Sequence, residues 1–127
     1  MNAASILADA ITVLEQRGMC SSNFVIASGA VDAFGALAVA AGSEPDVWMG
    51  LSDWNAPWEP SDRQLVDAAF YLAELVLPGR DVVGMPLDDL ITDVGDRLDA
   101  MSLHEVLDAL AKAAHEAGLA EKAEARA

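Results

Sequence analysis

Cys20 is the single cysteine of this chain, and His104 and His115 are its two histidines. Nucleophilic chemistry of the thiolate–imidazole kind would have to draw on these three residues. Such a pair must lie within hydrogen-bond reach, ~2.6–3.2 Å. Cys20 sits in "GMCSSN", while both histidines lie far along the chain in its last helical segment, and nothing local brings them together. The cysteine is therefore expected to be structural or incidental. The histidines are three helical turns apart, roughly 16 Å along a helix axis at ~1.5 Å per residue, too far to share one metal ion.

The densest group of acids is "DDLITDVGDRLD", residues 88–99. On a helix, Asp89, Asp93 and Asp96 form one stripe opposite an apolar face of Leu90, Ile91 and Val94. A calcium loop would need acids at alternate positions and a turn glycine, because its ligands wrap the ion from a loop. Helical spacing instead suggests a solvated face, or a docking surface for a basic partner. Walker, GxGxxG, GxSxG and HExxH motifs are absent, and no pair among the 21 acids is singled out for acid–base work. No catalytic, cofactor-binding or metal-ligating residue is assigned, and no cofactor is expected.

The remaining lead is aromatic. "VWMGLSDWNAPWEPSD", residues 47–62, holds all three tryptophans. Trp48 shares a short helical face with Val47 and Leu51 and is expected to be buried, with Trp54 closing the edge of the core. Trp58 lies between Pro57 and Pro60, where a helix interior is impossible. Its ring either laps over the start of the next helix or stands as a partly exposed anchor of the kind that dominates interfaces. The candidate partner-binding residues are thus Trp58, Trp54, Asp89, Asp93 and Asp96.

These residues must be carried by a small helical scaffold. At 127 residues the chain is one domain by length, and 54% of its residues are hydrophobic, enough for a single core. About a fifth of the chain is alanine, which favours closely packed helices. Periodicity places helices over 3–17, 29–41, a short piece after Gly42, 61–77, about 87–99, and 102 to about 117. Ser43 is expected to cap the short third helix. Ser61 with Gln64, and Ser102 with Glu105, read as capping boxes. "NFVIA" resembles a strand but lacks an evident partner. The expectation is an all-α single compact bundle of five or six helices over 1–118, with 119–127 a frayed C-terminal tail.

A net charge of −14 repels phosphate backbones and anionic lipid, so direct nucleic-acid or membrane binding is disfavoured. The run at 24–42 is interrupted by Asp32 and dominated by Ala and Gly, which marks a buried helix and not a membrane span. One cysteine and no secretory signal point to the cytoplasm. The Gly/Ala-rich helix and the last helix offer more apolar surface than a small bundle needs, which points to a homodimer.

"LADAITVLEQRG", "DAFGALAVAAG" and "ITDVGDRLDAMSLHEVLDALAKAAHEA" together resemble a family of small helical proteins from actinobacteria and their (myco)bacteriophages. Arg17-Gly18, Gly35-Ala36 and the Ser102-to-Glu105 box occupy the places where that family ends its first helix, packs its second and caps its last. Gly95-Asp96 stands where Asn-Asp is typical, and Phe34 where Cys is often found. The resemblance implies a helical fold and a bacterial or phage origin, and transfers no catalytic residue. The functional expectation is a non-enzymatic protein-interaction module, phage-encoded or actinobacterial, that binds a host protein, one with a basic surface. An acidic nucleic-acid mimic and a small enzyme of unidentified chemistry are the alternatives.

Overall fold

The computed structural model describes residues 2–20, 24, 26–51 and 58–126. Six helices account for 71% of these residues, and none of them belongs to a strand longer than a single bridge. The first helix, α1 (Ala3–Arg17), starts at Asn2, whose side-chain oxygen accepts from the Ser5 amide at 2.9 Å. The Ser5 hydroxyl in turn accepts from the Asn2 amide at 3.1 Å, so two otherwise unpaired donors are satisfied. Ala3, Ile6, Leu7, Ala10 and Leu14 are buried along one stripe, and Gly18, at a φ of +84°, turns the chain out of the helix.

The second helix is shorter than its apolar periodicity suggests. Residues 29–32 do not join it: Gly29, at a φ of +91°, closes a turn in which Ile26 donates to the Ala30 carbonyl. Arg17 Nε pins that turn by donating to the Gly29 carbonyl at 2.8 Å. Val31 then pairs with Met19 in an isolated parallel bridge, held by the Val31 amide on the Gly18 carbonyl and the Cys20 amide on the Val31 carbonyl. Only after this does α2 (Ala33–Ala40) begin, with Asp32 as its N-cap accepting from the Gly35 amide at 2.7 Å. A Cβ at Gly35 would collide with the backbone carbonyl of Phe24, so the glycine is what lets the preceding loop cross the helix.

At the other end of α2, Ser43 donates to the Ala38 carbonyl and Gly42 to the Val39 carbonyl, with Gly42 at a φ of +83°. This is a Schellman closure. Ser43 therefore ends one helix and does not cap the next. The short α3 (Val47–Leu51) follows after two tight turns, and it places Trp48 inside the core. The Trp48 indole Nε1 donates to the Phe34 carbonyl at 2.6 Å, and the two rings meet edge-to-face at 5.2 Å. Trp54 lies outside the described residues.

The fourth helix, α4 (Pro60–Val76), begins one residue before Ser61. Asp62 accepts from the Glu59 amide at 2.8 Å, so the reciprocal contact at this start joins Glu59 to Asp62 and not Ser61 to Gln64. Proline at the first helical position explains the shift, since its missing N–H is one the helix start leaves unpaired anyway. The fifth, α5 (Leu87–Asp99), buries Leu90, Val94 and Leu98 and runs through Gly95 without a break.

The last helix, α6 (Leu103–Arg126), opens on the expected box, with Ser102 Oγ accepting from the Glu105 amide and the Glu105 carboxylate from the Ser102 amide. It does not stop near 117. Ala117 is fully buried, Gly118 stays helical, and Glu121 Oε1 accepts from the Ala4 amide at 3.2 Å. The segment read as a frayed tail is therefore helical through Arg126 and tied to the first turn of α1.

Packing follows from these faces. The central α1 lies against α6 and α2, α4 packs on α6 and α1, α5 covers α2 and α4, and α3 leans on α2. Ala33 to Ala38 are all buried within the chain, so the small-residue surface on which self-association was expected is used internally. Among the described residues no polar or charged side chain is buried.

Candidate functional site

Cys20 and the histidines are not assembled. His104 and His115 are exposed on α6, and the small notch beside Cys20 is lined instead by Asp32, Phe34, Leu98 and Asp99. The Cys20 thiol donates to the Ala30 carbonyl at 3.5 Å. Burial first, and then the Asp32 charge, pushes its pKa up. A nucleophilic thiolate needs the opposite environment. Asp32 itself is raised from 3.8 to about 6: burial dominates, the Gly35 amide pulls back, and Asp99 adds repulsion.

The acidic stripe of α5 is divided by its neighbours. Asp93 is paired with Arg80 at 2.9 Å, which connects the 77–86 turn to the helix. Asp89 is exposed in the first turn of α5, where a carboxylate complements the helix dipole. Asp96 is exposed and borders a groove of about 430 Å³ shared with Phe24, Phe34, Met49 and Ile91. The three do not form one uniform acidic face.

Trp58 is 38% exposed, yet it is held in place. Its indole Nε1 donates to the Leu51 carbonyl at 3.2 Å, linking the end of α3 to the start of α4. The Arg63 guanidinium carbon lies 5.7 Å from the ring centroid, over its face. The ring therefore laps over the first turns of α4 and still presents about a third of its surface to solvent.

Arg63 also marks the end of a larger feature. Between α4, the C-terminal turns of α6 and the first residues of α1 runs a groove of about 810 Å³. Phe70 and Tyr71, both half-buried, lie along it, with Asp67 and Glu74 from α4 facing Glu121 and Glu124 from α6. Its field is negative. The Tyr71 phenol is pushed up by burial first and then by Glu124, Glu121, Asp67 and Glu74. Asp67 is likewise pushed up by burial, against the pull of Arg63 and with Glu124 reinforcing the rise. None of these positions was singled out by sequence. Asp67, Tyr71 and Glu74 do share a helical face at i, i+4 and i+7, but that spacing alone reads as ordinary solvated surface.

Among the described residues, no cluster of three or more His, Cys, Asp or Glu could hold a metal ion. No helix among them is long and apolar enough to cross a membrane. Fold and surface together define a small all-α protein with an acid-lined groove and a fixed tryptophan at its end. The model of the Family of unknown function (DUF6197) matches residues 1–116, and the chain belongs to that family. No curated protein and no solved structure matches it. The family match covers α1 to α5 and most of α6, but Glu121 and Glu124 lie beyond it.

Proposed function

We propose that the chain is a non-enzymatic protein-interaction module, phage-encoded or actinobacterial, that binds a host protein in the cytoplasm. The origin rests on the family resemblance, and the compartment on the lone Cys20. The observation that carries the interaction itself is Trp58. Its Leu51 hydrogen bond and the Arg63 contact fix the ring before any partner arrives, so little side-chain entropy remains to be lost on binding. Trp and Arg are also the residues most enriched among interface hot spots.

The test compares wild type with Trp58→Ala as immobilised baits in actinobacterial lysate. Loss of a captured protein by the variant, with an unchanged circular dichroism spectrum, supports the reading; identical capture by both overturns it. An acidic nucleic-acid mimic is the second reading, favoured by the net charge of −14. It predicts a complex that dissociates steeply with rising ionic strength, whereas an aromatic-anchored complex persists.

A further inference from the structure

The groove between α4, α6 and the start of α1 offers a chemistry that the chain's own side chains leave unmatched. Four carboxylates, those of Asp67, Glu74, Glu121 and Glu124, line it, against one guanidinium, that of Arg63, which is also engaged over Trp58. The ion pairs among the described residues lie elsewhere, at Arg80–Asp93 and Lys112–Asp108. The groove, of about 810 Å³, is open to solvent, a shape that admits an extended segment. Between the acidic walls lies the half-buried ring of Tyr71, with Phe70 beside it.

We propose that this groove is the docking site for an extended, arginine-bearing segment of the partner protein. The proposal rests on the protein-interaction reading and specifies the chemistry of what is bound. Charge complementarity selects a cation and excludes a phosphate backbone. The aromatic floor selects guanidinium over ammonium, because a planar, weakly hydrated group stacks on a ring while forking to carboxylates at its edge. Glu121 and Glu124 supply the α6 wall from its last turns. The same turns are anchored by Glu121 on the Ala4 amide, which fixes the wall relative to α1.

The probe is a fluorescein-labelled hexa-arginine peptide, titrated with the full chain and followed by fluorescence anisotropy at physiological salt. Glu121→Gln with Glu124→Gln removes two groove charges while leaving an oxygen on residue 121 to accept from Ala4. Asp9→Asn with Glu15→Gln removes two exposed charges from α1 away from the groove and serves as the equal-charge control. Two exposed charge contacts of ~0.7 kcal/mol each correspond to roughly tenfold in affinity, the weakening expected for the groove pair. Under twofold is expected for the control, and Tyr71→Leu should erase the preference for hexa-arginine over hexa-lysine. Equal weakening by both double variants, or no binding by wild type, overturns the proposal. Neither outcome bears on Trp58-dependent capture, so the two readings fail separately.

Discussion

Asp32→Asn should stabilise the protein at neutral pH, and the gain should vanish in acid. In the folded chain the Asp32 carboxylate is desolvated and faces both Asp99 and the Cys20 thiol, and its pKa is raised from 3.8 to about 6. Two units at ~1.4 kcal/mol each give an upper figure of about 3 kcal/mol, and solvent screening of a group that is not fully buried reduces this to ~2 kcal/mol. Because the folded-state pKa is raised, the folded chain binds the proton more tightly than the unfolded one. The associated stability is fully present below pH 3.8 and is lost as pH rises through about 6. Asparagine keeps the oxygen that accepts from the Gly35 amide, so the helix cap survives while the charge is removed. Urea unfolding of both proteins, at steps from about pH 3.5 to about pH 8, measures the difference directly. Many other acids titrate in the same range, but they are common to both proteins and cancel. The variant's advantage should rise from a fraction of a kcal/mol to ~2 kcal/mol across that window. Parallel stability curves would show that Asp32 carries no penalty for its charge, and a variant weaker at every pH would show that the ionised cap stabilises the fold.

Trp48→Ala should destabilise by about 3–5 kcal/mol, because it empties a fully buried indole site and removes the indole hydrogen bond to the Phe34 carbonyl; thermal melting measured beside Trp58→Ala, which should melt near wild type, checks this. Ser102→Ala should lower stability by ~1 kcal/mol through loss of a working cap, whereas Ser61→Ala, at an exposed position already inside α4, should leave the urea midpoint unchanged; equal effects would contradict the helix starts described above.

What could be read from sequence divides along the range of the interactions involved. The extent of α1, its stop at Gly18 and the Ser102–Glu105 start of α6 are written in adjacent residues and were legible. The start of α2 was not, because Arg17 reaching Gly29 and Met19 bridging Val31 withhold from the helix residues whose apolar pattern suits it. At α4 two local signals compete over the same few residues. Pro60 and the Glu59–Asp62 contact prevail over Ser61–Gln64, and Trp58 joins that earlier start to α3. Beyond Gly118 the sequence lacks a strong apolar stripe, yet Glu121 still finds a partner at the opposite end of the chain, the Ala4 amide.

The same distinction explains which surface features could be foreseen. Trp58 stood out because two prolines bracket it, a signal contained in four residues. The acidic groove is distributed over Asp67, Glu74, Glu121 and Glu124, and each of these reads as a solvated face until α6 is laid beside α4. Both helices, which pack on each other, bury small side chains of the kind that lets helices approach closely: Ala69 and Ala73 on α4, Ala113 and Ala117 on α6. Alanine abundance, which first appears as a compositional bias, thus has a positional consequence. It favours the close approach of two acidic helix faces, and the Tyr71 phenol between them is pushed up first by burial and then by carboxylates from both, Glu124 and Glu121 on α6 and Asp67 and Glu74 on α4. A bulkier residue at Ala117 would have to push the last turns of α6 outward, carrying Glu121 and Glu124 away from the groove while the matched family core stayed intact.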